Sequence, residues 1–133
     1  MRTSSVVHRL SNAALFTNCD RQERNRLDRM GTQVRRPAGT VLAREGARAR
    51  QFIVILDGSA TACHPDGVEV IAAGGAIGAR EIILGEPHSE TIVADRAVVL
   101  EVLDPREFAA LLETVPTLAS DLGVAAERSK VSQ

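Results

Sequence analysis

Apolar positions follow a helical spacing at both ends of this chain and a strand-like spacing through its middle. Val6, Val7, Leu10, Ala14 and Leu15 recur at helical intervals and predict a first helix ending near Phe16. Asp20, with Glu23 three residues on, is the pattern of a reciprocal N-terminal cap. It predicts a second helix through about Met30, with Leu27 and Met30 inward and Arg21, Arg24 and Arg29 largely outward; Gly31 fits its stop. From Thr32 to Leu103 short apolar runs alternate with turns. Thr40-Val41-Leu42 follows Pro37-Ala38-Gly39, and Phe52-Ile53-Val54-Ile55-Leu56 is the continuous run of a strand buried on both faces, stopping at Asp57-Gly58. Thr61-Ala62-Cys63 and Val68-Glu69-Val70-Ile71 flank His64-Pro65-Asp66-Gly67, a hairpin turn with the Asp-Gly signature. Thr91-Ile92-Val93-Ala94 and Val98 to Leu103 make two further strands around Asp95-Arg96. Helical spacing then returns. Asp104 caps and Pro105 opens a helix carrying Phe108, Leu111 and Leu112, and Pro116 starts a last one with Leu118, Leu122 and Ala125 on one stripe.

This order predicts a mainly β protein with flanking helices, built on an antiparallel β-roll or jelly-roll rather than an open parallel sheet. The 133 residues fit a single domain over 1–133: N-terminal helices in 1–31, the roll in 32–103 and C-terminal helices in 104–129. No internal repeat or low-complexity segment interrupts it.

Charge and composition narrow the functional classes. With 25% charged and 44% hydrophobic residues, the chain has the balance of a soluble globular protein. Phe16, Phe52 and Phe108 are its only aromatic residues, which disfavours single-stranded nucleic-acid binding by base stacking. Residues 1–50 hold eleven Arg against four acids, a balance of +7, while the remainder holds five basic and thirteen acidic residues, a balance of -8. Such a dipole either steers an anionic partner to the N-terminal half or is a solvated, Arg-rich surface. Cys19 and Cys63 fit neither a disulfide framework nor a zinc spacing. Nothing before Thr17 resembles a signal peptide or membrane span, so a cytoplasmic location is expected.

One segment carries more functional information than the rest. Ile77-Gly78-Ala79-Arg80-Glu81-Ile82-Ile83-Leu84-Gly85-Glu86-Pro87-His88-Ser89-Glu90-Thr91-Ile92-Val93 resembles, without a gap, the phosphate-binding cassette of cyclic-nucleotide-binding domains, F-G-E-I-A-L-L-x-G-x-P-R-S-A-T-V. Gly78, Gly85, Pro87, Ser89 and Thr91 match, whereas Ala79 stands where the family has Glu and His88 where it has Arg. Pro37 to Leu42, Arg44-Glu45-Gly46 with Phe52 to Gly58, and Leu103 to Phe108 are similar to other family segments in the same order. The resemblance implies a β-roll of the cyclic-nucleotide-binding type and a regulatory, non-catalytic role. It implies cyclic AMP or cyclic GMP as ligand, with no other cofactor, and a site formed by Ile77, Gly78, Ala79, Arg80, His88, Ser89, Glu90 and Thr91. Only Ser129 to Gln133 follow the last predicted helix, so no DNA-reading helix-turn-helix is expected.

In the family the cassette combines a helix N-terminus aimed at the cyclic phosphate, an Arg fork on that phosphate and a Glu on the ribose hydroxyl. Here Gly78 and Ser89 keep the first device, but both side-chain grips are missing. A hydrogen bond to a charged group is worth roughly 1.5–3 kcal/mol, so affinity should fall by about two to four orders of magnitude. Glu90 replaces a small Ala, and a carboxylate about 6 Å from a phosphate would repel it by roughly 2–3 kcal/mol at an effective dielectric near 20, unless it points outward. Arg80 either brings a guanidinium into the pocket or pairs with Glu81, Glu86 or solvent. Rival chemistries find little support. His8, His64 and His88 stand alone, without the clustered ligands of a cupin-like metal site; Ser89 beside His88 is no triad; and Gly74-Gly75 with Gly78 lacks the Lys of a P-loop. The alternative to a small-anion sensor is a ligand-independent interaction module that forms a homodimer, or binds a protein partner, through the Leu118, Leu122, Ala125 stripe.

Overall fold

A computed structural model describes residues 8–10, 16 and 19–118. Most of the first predicted helix, and the Leu122 and Ala125 part of the last, lie outside the described residues. Leu10, Phe16 and Leu118, from those two segments, are all buried.

The first described helix, α1, spans Arg21–Leu27 and begins at the expected reciprocal cap. The Glu23 N–H donates to the Asp20 carboxylate at 2.8 Å, and the Asp20 N–H donates to the Glu23 carboxylate at 2.8 Å. The helix ends three residues before Met30, whose N–H turns back to the Leu27 carbonyl at 3.0 Å. Leu27 is buried and Met30 packs beside it, as expected. Arg24 departs from its expected outward placement. It is half-buried, and its Nε donates to the Cys19 carbonyl at 3.1 Å, tying the helix to the segment before it.

Eight strands follow: β1 Thr32–Arg36, β2 Val41–Ala43, β3 Phe52–Asp57, β4 Ser59–His64, β5 Gly67–Ala72, β6 Ala76–Ile77, β7 Thr91–Ala94 and β8 Val98–Leu103. Helix α2, Ala79–Leu84, interrupts them between β6 and β7, and α3, Pro105–Thr114, follows β8. The strands form two antiparallel four-stranded sheets, ordered β1-β8-β3-β6 and β2-β7-β4-β5, which is the predicted roll. β3 shows why its run is apolar throughout. Phe52 and Val54 enter a core beneath the helices with Leu27, Leu103, Phe108 and Leu111, whereas Ile53 and Ile55 enter a second core between the sheets. The Phe52 and Phe108 rings meet at 4.5 Å between centroids. The Asp104 and Glu107 cap holds α3 against this frame, with reciprocal bonds of 2.7 and 2.9 Å.

The β4–β5 hairpin turns within the expected His64-Pro65-Asp66-Gly67, with His64 opposite Gly67 and Pro65-Asp66 at its centre. An Asp66-Gly67 turn would make Pro65 a closing residue, and proline has no N–H to donate there. Cys63 is exposed. It alternates with the buried Ala60 and Ala62 and so lies on the outer face of β4.

Candidate ligand site

The cassette occupies the connection from β6 through α2 to β7. Its helix starts at Gly78, which has φ +96° and no side-chain cap. A Cβ at this position would lie 2.6 Å from the Gln51 carbonyl oxygen, so glycine is required both by the left-handed backbone and by the contact with the residue before β3. None of the α2 side chains is fully buried. Ala79 and Ile82 rest against the core beneath the helices, while Ile83 and Leu84 face outward. Arg80 pairs with Glu86 at 3.4 Å, the structural alternative to reaching into the ligand position.

After Pro87 the cassette is laced to the loop between β2 and β3. The Gly46 N–H donates to the His88 carbonyl and the His88 N–H to the Ala47 carbonyl, both at 2.9 Å, and Arg48 bridges to Pro87. The Thr91 hydroxyl accepts from the Glu45 N–H at 3.1 Å. Ile92 and Ala94 point into the core between the sheets, so Thr91 lies on the other face of β7, with its hydroxyl engaged in holding the loop. Ser89 is exposed, and His88 and Glu90 are half-buried.

Beside this junction lies a cleft of about 240 Å³, lined by Val41, Leu42, Ala43, Arg44, Ala47, Arg48, Arg50, Gln51, Ile53, Ile77 and His88. Of the site residues expected from sequence, Ile77 and His88 reach it; Gly78, Ala79, Arg80, Ser89, Glu90 and Thr91 do not line it. Around Glu90 the cassette is acidic. Burial pushes the Glu90 carboxyl up from its ordinary value, His64 draws it back down, and the charges of Glu69 and Glu81 push it further up. The strand register explains this grouping. Glu69 pairs with Ala62 and Gly67 with His64, and Ala62 faces the core between the sheets. His64 and Glu69 therefore share the inner face of their sheet at the end next to Glu90.

Sequence reasoning missed His64 and Glu69 as neighbours of the cassette, because only the pairing of β4 with both β5 and β7 brings them to it. It also missed Arg44, Arg48 and Arg50. Their only local signal was the alternation of Arg48 and Arg50 around Ala49, and their placement depends on the loop-to-cassette bonds. Among the described residues, no three His, Cys, Asp or Glu side chains converge as a metal ion would require, and no helix is long and apolar enough to cross a membrane.

Comparison with known proteins places this geometry in a family. Residues 33–115, well over half of the chain, match the model of the cyclic nucleotide-binding domain, and the chain belongs to that family. A cyclic nucleotide-gated potassium channel of Rhizobium etli is 33% identical over 86 residues, which are 65% of this chain and 24% of the channel. The chain thus spans about a quarter of the length of the curated relatives it matches. Among solved structures, PKAR CBD2 bound to Sp-2Cl-cAMPS aligns with a TM-score of 0.81 at 24% identity, covering 91% of this chain and 82% of that one. The regulatory subunit of a cAMP-independent protein kinase A from Trypanosoma brucei aligns with a TM-score of 0.78 at 21% identity, covering 89% of this chain and 43% of that one. At these identities the structural likeness establishes the shared β-roll.

Proposed function

We propose that this chain is a non-catalytic regulatory module of the cytoplasm that binds a cyclic nucleotide weakly through the cassette residues Ile77, Gly78, Ala79, Arg80, His88, Ser89, Glu90 and Thr91. The observation that carries this reading is a cassette whose backbone turn is kept while its two charged grips are replaced. Gly78 is locked against Gln51 and starts an uncapped helix, as a phosphate-facing turn needs, yet Ala79 and His88 stand in place of the family's Glu and Arg. Arg80 is held by Glu86, and Glu90 adds a carboxylate beside Glu69 and Glu81. The fold is found both in a domain bound to a cAMP analogue and in the regulatory subunit of a cAMP-independent kinase, so fold alone is compatible with either behaviour.

Titration with cyclic AMP and cyclic GMP, followed through the amide signals of Gly78 and Ser89, tests the reading. Wild type should bind weakly. Ala79→Glu, His88→Arg and Glu90→Ala together should tighten cyclic AMP binding by at least about a hundredfold. Ala79 rests on the core, so melting of the variant is measured alongside. Tight binding by wild type contradicts the argument from the missing grips. The second reading is a ligand-independent interaction module. Exposed Val68 and Val70 on the edge strand β5 favour it, and it gains support if neither nucleotide moves those amides at millimolar concentration. Leu118, expected to lie on a dimer-forming stripe, is buried in the chain's own core, while Leu122 and Ala125 lie outside the described residues.

A further inference from the structure

Positive charge missing from the cassette is present on the loop between β2 and β3, to which the cassette is bonded. Arg44, Arg48 and Arg50 line the 240 Å³ cleft together with His88, and no carboxylate lines it. The ion pair of Arg80 and Glu86 lies elsewhere, and among the described residues none of the three loop arginines is in a salt bridge. Three arginines lining one cleft without a carboxylate offer an anion positive charge that no acidic side chain of the cleft shares. The loop is also held in place: Gly46, Ala47, Arg48 and Glu45 are each tied to Pro87, His88 or Thr91 by backbone or hydroxyl contacts. Val41, Leu42, Ala43, Ile53 and Ile77 give the cleft an apolar floor, and its volume equals the share of about eight water molecules at roughly 30 Å³ each.

We infer that this cleft is a binding site for a phosphate monoester carrying a compact organic body. The charge argues for the monoester: at neutral pH it carries about -1.5 to -2, more than a cyclic phosphodiester, and three guanidiniums reward the difference. The apolar floor argues for an organic body over bare inorganic phosphate. The site differs from the cyclic-phosphate position of the cassette, because Gly78, Ala79 and Ser89 do not line it. It stands independently of the cyclic-nucleotide reading, sharing only Ile77 and His88 with it.

The test is calorimetric titration of the full chain with adenosine 5′-monophosphate, with adenosine, inorganic phosphate and cyclic AMP as comparisons, alongside amide NMR shifts. The monophosphate should saturate one site and move the amides of Ala47, Arg48 and Gln51. It should bind more tightly than inorganic phosphate or adenosine, and more weakly as salt is raised. Arg48→Gln with Arg50→Gln should weaken it by at least about tenfold without changing the melting temperature, since both side chains are exposed. The corresponding double Lys variant should keep part of the affinity. Unchanged binding in the Gln variant, shifts confined to Gly78 and Ser89, no saturation, or tighter binding of cyclic AMP in the cleft would each overturn the proposal. Cyclic AMP shifts at Gly78 and Ser89 report on the cassette alone, so each reading can fail without the other.

Discussion

The residues just before β3 and α2, Gln51 and Gly78, lie against each other, yet the two elements bury their side chains to opposite extents. β3 buries Phe52, Ile53, Val54 and Ile55, sending alternate residues into two cores. α2 buries none fully and leaves Ile83 45% and Leu84 55% exposed. The difference separates what holds the fold from what rests on it. A strand that serves two cores tolerates little change. A six-residue helix resting on one face can change its side chains while the roll around it persists. That is how a chain can keep the architecture of the cyclic nucleotide-binding domain with Ala79 at the start of this helix.

The largest effect should come from the strand. Phe52→Ala removes a fully buried ring stacked on Phe108 and should destabilise the fold by about 3–5 kcal/mol, measured by urea unfolding. A loss below about 1 kcal/mol would show that the two-core strand is not the frame of the molecule. The junction comes next. Gly78→Ala places a side chain at φ +96° and a Cβ 2.6 Å from a backbone oxygen that no rotamer can move aside. A cost of about 1–3 kcal/mol is expected, with amide shifts spreading through both α2 and Gln51. A shift confined to α2 would mean that the cassette bends away from β3 and that the two regions are coupled less than their contact suggests.

How legible each part was in the sequence follows the same division. β7 and β8 have the bounds that their apolar runs predicted, because burial wrote a pattern into them. β1 left almost no signal: Thr32–Arg36 is exposed at four of five positions and carries Val34 as its one aliphatic side chain. β6 is two residues long, too short for any period. α2 could be placed only through family resemblance, since Ala79–Leu84 is shorter than two helical turns. The cassette could be located in the sequence because its residues are contiguous. Arg44, Arg48, Arg50, His64 and Glu69 could not be placed beside it, because what brings them to the cassette is pairing between segments distant in sequence.

A third, pH-dependent effect sharpens the comparison from within the frame. Glu101 lies opposite Val54 in the β3–β8 pairing and is 6% exposed, a carboxyl placed where the strand frame favours apolar groups. Burial pushes its pKa up; a Gln33 side-chain bond lowers it, and the charges of Asp28 and Glu107 raise it again. A carboxyl raised in the folded state binds its proton more tightly there than in the unfolded chain. Its stabilising contribution is therefore present at low pH and lost as pH rises from the ordinary carboxylate range through the raised value. Glu101→Gln should raise the melting temperature at neutral pH, and the gain should shrink as pH falls towards the ordinary range. A gain that is constant with pH would mean that packing, not protonation, sets the cost of this residue.

The smallest effect should come from the helix itself. Ile83 and Leu84 stay largely in water and lie outside both buried cores, so Ile83→Gln with Leu84→Gln removes little burial. Glutamine has a helix propensity close to that of the residues it replaces, and neither position is a cap. Each change should stay within about 0.5 kcal/mol of wild type in urea unfolding. A loss near 2 kcal/mol would require Ile83 or Leu84 to be covered by some part of the molecule, and the cassette would then belong to the frame. An unchanged stability would instead leave the outer surface of the helix free to vary, with β3 and the Gly78 contact carrying the conformation of the cassette.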